Sequence, residues 1–236
     1  MSERTPLQRW VPVALMTAVL VWLTFDAEGF ARLLGLIFPN ETTLTYERET
    51  LATLMGQHLA LAGTSGAIAL VVGVALGVFL LTPLGANFRE LIVNLANFGQ
   101  TFPSVAVMAM LVPIMGYGWE PVVVALVIYS VLPVMLNVVA GIENVPESTV
   151  DAARGIGMGR MQRFRQIQLP LAMPVIMGGI KNMLVIAVGA ATLGAIVGAG
   201  GLGVPIVAGA AQFNPALVLQ GAIPSALLAL IIDRAL

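Results

Sequence analysis

Long uncharged apolar runs, separated by short polar breaks, make up most of this 236-residue chain. A helix needs about 20 largely apolar residues to cross the hydrocarbon core of a bilayer, and most of these runs are that long. The predicted fold class is therefore all-α integral membrane, with residues 1–236 forming a single transmembrane domain. The limits of the runs predict six membrane helices, near residues 10–25, 58–81, 91–115, 121–142, 171–197 and 216–233.

Glycine and proline mark the ends of these runs and the breaks inside them. The helix over 58–81 should end before Pro83, and Gly198–Pro205 should separate the last two helices. The run 91–115 is interrupted by Gln100–Ser104, which has two interpretations: a proline kink, or a polar step that lines a pore. The helix over 58–81 also carries glycines that suit close helix contact: Gly63, Gly66, Gly73 and Gly77.

The first run, residues 10–25, is as short as a signal peptide, but no small-x-small cleavage site follows it. We therefore expect an uncleaved helix. The polar connection after it, residues 26–57, is the longest in the chain. Within this connection, residues 30–38 predict a short interfacial helix.

The composition fits a bilayer and excludes several kinds of site. The chain is 58% hydrophobic and 10% charged, whereas soluble domains are about one quarter charged. It has no cysteine and one histidine, which excludes disulfides, thiolate ligands and a His-rich metal centre. The net charge of −1 offers no broad basic field for nucleic acid. We expect the single histidine, His58, to lie at a membrane boundary.

No catalytic residue, metal site or resident cofactor is predicted. The segment Gly198–Gly203 matches the dinucleotide fingerprint literally, but it follows a membrane helix instead of a strand, and no acidic residue lies about 20 positions on. The chain also lacks the GxxxxGK[ST] loop that cradles ATP phosphates. If ATP drives this protein, another subunit must hydrolyse it.

Only mild polar side chains interrupt the apolar runs. Ion-coupled carriers usually need an ionisable residue at membrane depth, and we expect Lys181 to extend its ammonium group to the cytoplasmic boundary instead. This pattern favours a passage that an external energy source opens and closes. The candidates for lining that passage are Gln100, Thr101, Ser104, Tyr129, Asn137 and Thr192.

The polar segment 143–170 lies between apolar runs, which predicts a loop that meets a partner in water. Glu147–Arg154 predicts a short helix, with Asn144 as its N-cap, that ends in a glycine-rich turn. Arg160–Leu169 predicts basic amphipathic turns suited to lipid headgroups. Pro170 is then expected to open the next membrane helix.

The distribution of basic residues predicts the orientation. If segment 143–170 is cytoplasmic, two of the eleven basic residues, Arg32 and Arg48, lie outside. Cytoplasmic loops carry such an excess of Lys and Arg, so we expect both termini in the cytoplasm. The nine basic residues on the inside are then Arg4, Arg9, Arg89, Arg154, Arg160, Arg163, Arg165, Lys181 and Arg234.

The same segment carries a family resemblance. Its fixed positions are Asp151, Ala152, Ala153, Gly157, Ile167, Leu169 and Pro170. Their spacing resembles the Glu-Ala-Ala motif in the cytoplasmic loop of ATP-binding-cassette importer permeases, with Asp in place of Glu. Gly99–Ala106, Glu143–Pro146 and Gly198–Pro205 also resemble segments of permeases of the glycine betaine, choline and carnitine class.

The resemblance implies a type I importer permease (MetI-like) fold in the bacterial cytoplasmic membrane. It implies that the seven motif residues contact a cytoplasmic ATPase, which uses the ATP. It also implies a second permease copy or paralogue, an extracytoplasmic solute-binding protein, and osmoprotectants of the quaternary-amine type as solutes. Two alternatives stay open: a permease for another small polar solute such as an amino acid, and a non-transporting membrane scaffold.

Overall fold

The computed structural model describes residues 6–236, and every regular element in that range is a helix. Arg4, which the charge distribution assigns to the cytoplasmic side, lies outside the described residues. The α-helices are α1 (Pro6–Phe25), α2 (Ala27–Ile37), α3 (Leu51–Leu80), α4 (Pro83–Ala86), α5 (Arg89–Thr101), α6 (Ser104–Met115), α7 (Trp119–Glu143), α8 (Glu147–Gly155), α9 (Arg160–Arg163), α10 (Leu169–Ala191), α11 (Gly203–Gln212) and α12 (Pro215–Ala235). A π-helical turn, Phe164–Gln168, joins α9 to α10, and a 3₁₀ segment, Thr192–Val197, follows α10.

Four helices are long and apolar enough to cross a membrane: α3, α7, α12 and the continuous helix Arg160–Val197, which contains α9 and α10. Two further pairs pass the same test but are sharply bent, Trp10–Phe25 with α2 at 97° and α5 with α6 at 93°. Within residues 6–236 there are therefore four spans, or six if each bent pair counts as one. The all-α membrane fold is confirmed, but two helices replace the single helix predicted over 91–115.

Helices α3, α7 and α10 form the packed centre of the molecule, and glycine allows their close approach. A Cβ added at Gly73 would lie 2.7 Å from the Cβ of Val134 on α7, and Gly77 is equally close to α7. The contact of Gly66 with α10 is looser, since an added Cβ would lie 3.3 Å from the end of the Leu184 side chain. The predicted small-residue face is confirmed at these three glycines. It is wrong at Gly63, which is exposed and has no atom within 4 Å of an added Cβ.

Helix α2 leaves α1 almost at a right angle. Asp26 caps it by accepting the N–H of Gly29 at 2.9 Å, and Asp26 also accepts the indole N–H of Trp22 at 2.9 Å. Phe30 is buried against the core, whereas Leu36 is 82% exposed. The short helix predicted over residues 30–38 is therefore confirmed in position, with apolar side chains directed both inward and outward.

Helix α3 begins at Leu51, earlier than the predicted position 58. Thr50 supplies the N-cap, and its hydroxyl accepts the N–H of Thr53 at 3.2 Å. The early start brings Gln57 into the helix and makes His58 an interior residue of it. His58 is fully buried there against the neighbouring helices. Its place at a membrane boundary stays a prediction.

Pro170 lies in the first turn of α10, as predicted, but the helix is continuous through it from Arg160 to Val197. Proline lacks the N–H that an α-helix uses and strains the preceding turn. The π-helical turn Phe164–Gln168 lies directly before it, and the N–H of Leu169 bonds to the carbonyl of Phe164. This widened turn places the disruption next to the proline and allows the helix to continue.

A glycine-rich loop and the helix α11 connect α10 to α12. Gly198, Gly200 and Gly201 all have φ near +80°, a conformation that glycine adopts without steric cost. The side chain of Gln57 accepts the N–H of Gly201 at 2.8 Å and donates to Glu49 at 2.8 Å. The loop is thereby attached to the beginning of α3.

Lys181 and Asp233 form an ion pair at 2.9 Å that joins α10 to α12. Their side chains are 30% and 45% exposed. The ammonium of Lys181 therefore has a carboxylate partner, and its predicted extension to the cytoplasmic boundary stays a prediction. No local sequence pattern indicates a pair between residues so far apart in the chain.

Replacing Lys181 with methionine should lower the yield of folded protein more than the double change Lys181→Met/Asp233→Leu. The single change leaves a carboxylate without its cation near a membrane helix, whereas the double change removes both charges. Size-exclusion chromatography after heating measures the folded fraction. Arg32→Met, in an exposed pair with Glu28, is the control and should have no measurable effect. Equal yields for the single and double variants would contradict the prediction.

Candidate functional site

Helix α8 is the structured part of the polar segment 143–170. It runs over Glu147–Gly155, as the sequence predicted to within a residue, and Glu147 lies in its first turn. Pro146 occupies the N-cap position, and its carbonyl accepts the N–H groups of Thr149 and Val150. Asn144 is therefore not the N-cap of α8. Its backbone N–H instead completes the end of α7 by bonding to Ala140.

The C-terminal end of α8 is a Schellman motif centred on Gly157. The N–H of Met158 bonds to the carbonyl of Ala153 at 3.1 Å, and the N–H of Gly157 bonds to that of Arg154 at 3.0 Å. Gly157 has φ +84°, which a residue with a side chain adopts only under strain. This geometry explains why the motif requires glycine at this position, beyond the general need for a turn.

One face of α8 is packed on the membrane helices and the other is open. Ala153 is 4% exposed and Val145, just before the helix, is 9% exposed. Val145 and Val150 join an apolar cluster that includes Val138 of α7 and Ile176 of α10. The segment Val145–Val150 is therefore packed directly against the centre of the molecule.

The seven motif residues divide between buried and exposed positions. Ala153 faces the packed side, and Ile167 and Leu169 are half-buried. Four others are exposed and available to a partner: Asp151, Ala152, Gly157 and Pro170. Asp151 pairs with Arg154 at 3.0 Å within the same helix, with both side chains more than half exposed. The exposed motif residues of α8 are therefore a small side chain, Ala152, and one member of an ion pair, Asp151.

Two arginines hold the ends of this segment. Arg163 donates from Nη1 to the carbonyl of Met158 at 2.6 Å, which fixes the turn after α8 onto α9. Arg89, at the start of α5, binds both carboxylate oxygens of Glu143, at the end of α7, at 2.5 and 2.9 Å. Such fork-like pairs fix the relative position of the elements that they join. No local sequence pattern indicates this pair, because its two residues are 54 positions apart.

The break between α5 and α6 brings together four of the six predicted path residues. Phe102 and Pro103 are extended, with ψ 143° and 131°. The ring of Pro103 disfavours the helical conformation at the residue before it, Phe102, and so ends α5. Tyr129 of α7 donates its hydroxyl to the carbonyl of Phe102, and the amide of Gln100 donates to the carbonyl of Tyr129 at 2.8 Å. Thr101 and Ser104 flank the same break. The feature is a bend pinned to α7 by two side chains.

The other two predicted path residues lie elsewhere. Asn137 donates to the carbonyl of Pro133 in its own helix at 2.8 Å, about 12 Å along α7 from Tyr129 at 1.5 Å per residue. Thr192 bonds back to Gly189 at the far end of α10. Their hydroxyl and amide groups satisfy backbone carbonyls. Within residues 6–236, no group of three His, Asp or Glu side chains that could hold a metal ion occurs.

Comparison with known proteins agrees with this architecture. Residues 69–236 match the model of the family described as binding-protein-dependent transport system inner membrane component. The osmoprotectant import permease protein OsmY of Salmonella typhimurium is 40% identical over 194 residues, which cover 82% of each chain. The glycine betaine/carnitine/choline transport system permease protein OpuCB of Bacillus subtilis is 35% identical over 187 residues, covering 77% of this chain and 82% of that protein.

Solved structures show the same fold. The inward-facing MetNI methionine transporter superposes with a TM-score of 0.68 at 22% identity, covering 78% of this chain and 91% of that one. An amino acid ABC transporter superposes with a TM-score of 0.61 at 16% identity, covering 78% and 93%. With the family model matching more than half of the sequence, the chain belongs to the family of binding-protein-dependent transport system inner membrane components, which are transport permeases.

Proposed function

We propose that this chain is the permease subunit of an ATP-driven importer of osmoprotectants of the glycine betaine, choline and carnitine type. The observation that carries the solute class is the 35–40% identity, over about four fifths of their length, to permeases named for those solutes. ATP is used by a separate subunit, and this chain provides the path and the surface that the ATPase moves.

The ATPase contacts the open face of α8 in this proposal. Asp151, Ala152 and Gly157 are exposed there, and small side chains permit close approach of another protein. On the opposite face, Ala153 is buried and Val150 packs against the cluster between α7 and α10. When two ATPases close on ATP, α8 moves with them and turns those helices as rigid elements, which changes access from one side to the other.

The proposed orientation places α8 in the cytoplasm together with both ends of the chain. Arg89 lies at the same end of the molecule as α8, because it pairs with Glu143, and Lys181 pairs with Asp233 near the end of α12. At the other end of α3, the segment before Leu51 carries Arg32 and Arg48. This clustering of basic residues at one end supports a cytoplasmic α8.

A second permease copy or paralogue covers the apolar side of α5 and α6 in the assembled importer. No residue of α5 is buried within residues 6–236, and Leu95, Phe98 and Ile114 are 67%, 60% and 81% exposed. An apolar surface next to a pinned bend suits a helix partner, with the path between the two chains. The bend residues Gln100, Thr101, Ser104 and Tyr129 then line or shape that path.

Affinity for solute resides in the extracytoplasmic binding protein. A quaternary ammonium is usually held by several aromatic rings through cation–π attraction. Near the bend the aromatic side chains are few: Phe98 and Phe102, whose rings pack edge to face at 5.1 Å, and Tyr129. A sparse set of rings suits a wide path that releases solute.

Uptake of labelled glycine betaine tests the proposal directly. Vesicles would contain this chain and its ATPase, with the binding protein added outside, and ATP would be present or absent inside. We expect ATP-dependent uptake that disappears without the binding protein and is inhibited by unlabelled choline or carnitine. If the binding protein stimulates ATP hydrolysis but no glycine betaine is taken up, the chain is an importer subunit whose solute is not glycine betaine. The absence of both uptake and stimulated ATP hydrolysis, with fully assembled subunits, would favour the non-transporting scaffold.

A further inference from the structure

A groove of about 670 Å³ opens between α8, α9 and the end of α3. The lining on the side of the membrane helices, which we call the floor, is apolar and includes Val78 of α3, Leu81 directly after α3, and Ile142 of α7. Phe164, in the π-helical turn, forms part of its wall. The groove lies where α3 ends, which is the level at which a membrane helix meets the lipid headgroups.

The rim of this groove is cationic. Arg154, Arg160 and Arg163 all line it, and no Asp or Glu does. Arg154 pairs with Asp151 outside the groove lining, and Arg163 donates from Nη1 to a backbone carbonyl. Among the described residues, no carboxylate lies within ion-pair distance of Arg160 or Arg163.

The arrangement has the polarity of a phospholipid. Apolar side chains lie on the side of the membrane helices, and guanidinium groups lie on the side of the water-exposed loop. A guanidinium binds phosphate through paired N–H donors, and basic clusters next to membrane helices attract anionic lipids. A free anion would use the arginines but leave the apolar floor unoccupied.

We propose that this groove binds one anionic phospholipid, with its phosphate at Arg160 and Arg163 and the start of one acyl chain against Val78 and Leu81. The occupant is a lipid of the leaflet that faces the ATPase. Because Arg163 also holds the turn after Gly157, a bound lipid stabilises α8 in its attachment to the membrane helices. The site shares Arg154 with the exposed surface of α8 but does not include Asp151, Ala152 or Gly157, and it does not depend on which solute is carried.

Native mass spectrometry of the permease from nanodiscs of phosphatidylcholine with increasing phosphatidylglycerol tests the site. We expect one retained phosphatidylglycerol per chain. Arg160→Gln should lower its apparent affinity about fivefold, which corresponds to the contribution of one basic residue at a membrane surface. Arg165→Gln is the matched control, since Arg165 is exposed on the same stretch of helix but does not line the groove, and it should leave retention unchanged.

Three results would overturn the proposal. An equal loss in Arg160→Gln and Arg165→Gln would indicate diffuse surface attraction without a site. Displacement of the lipid by millimolar glycerol phosphate would indicate a site for a soluble anion. Displacement on addition of the ATPase subunit would make the groove a protein contact. Arg163→Gln is a second variant of the site, and size-exclusion chromatography confirms that each variant is folded before its lipid is counted.

Discussion

Replacing Gly157 with valine should reduce ATP-dependent uptake at least about fivefold while the permease remains folded in the membrane. Gly157 has φ +84°, and a β-branched residue in that conformation costs about 1–3 kcal/mol. Relief of this strain would break the hydrogen bonds that Gly157 and Met158 donate to the end of α8, so the C-terminal end of α8 would no longer be held in place. A shift of 1–3 kcal/mol between two loop states changes their ratio about 5- to 150-fold.

The neighbouring Gly155 supplies the matched control for this prediction. Both glycines are exposed and have no atom within 4 Å of an added Cβ, but Gly155 lies in the helical region. Gly155→Val should therefore retain most of the uptake. Gly157→Asn should retain more than Gly157→Val, because asparagine tolerates the left-handed conformation. Uptake and binding-protein-stimulated ATP hydrolysis are measured in the same vesicles, and normal uptake by Gly157→Val would show that this backbone conformation is not needed.

The helical content and the polar loop could be read from the sequence because both follow from local chemistry. Uncharged runs long enough for a bilayer predicted the spanning helices, and the charges of segment 143–170 predicted α8. Helix boundaries were less accurate, since hydropathy ignores polar residues that a helix satisfies internally. Thr50 caps α3 with its hydroxyl, so the helix begins well before the apolar run.

Contacts between distant residues account for what the sequence did not reveal. The bidentate pair of Arg89 with Glu143 and the hydrogen bond of Gln57 with Gly201 each join elements far apart in the chain. The effect of each proline on its helix could not be predicted from the sequence either. Pro103 ends a helix at a bend, whereas a π-helical turn allows Pro170 to lie inside one. The difference depends on the neighbouring turn, which no residue type specifies.

Replacing Gly179 with alanine should destabilise the permease by about 3 kcal/mol, near the upper end for overpacking a core. The added Cβ would lie 2.5 Å from the Cβ of Asn137 and 2.8 Å from the carbonyl oxygen of Pro133. Neither atom is the end of a flexible side chain, so α7 and α10 must move apart along the tightest part of their contact. The proline carbonyl that is affected also accepts the Asn137 side chain.

The adjacent Gly178 separates this steric effect from any general effect of alanine in α10. No atom lies within 4 Å of a Cβ added at Gly178, and alanine favours a helix over glycine. Gly178→Ala should therefore leave stability unchanged or slightly raised. The folded fraction after heating, measured by size-exclusion chromatography, should fall sharply for Gly179→Ala alone. Equal stability of both variants would mean that α7 and α10 are not in close contact. Since α8 packs against these two helices, the proposed transmission of its movement would then lose its structural basis.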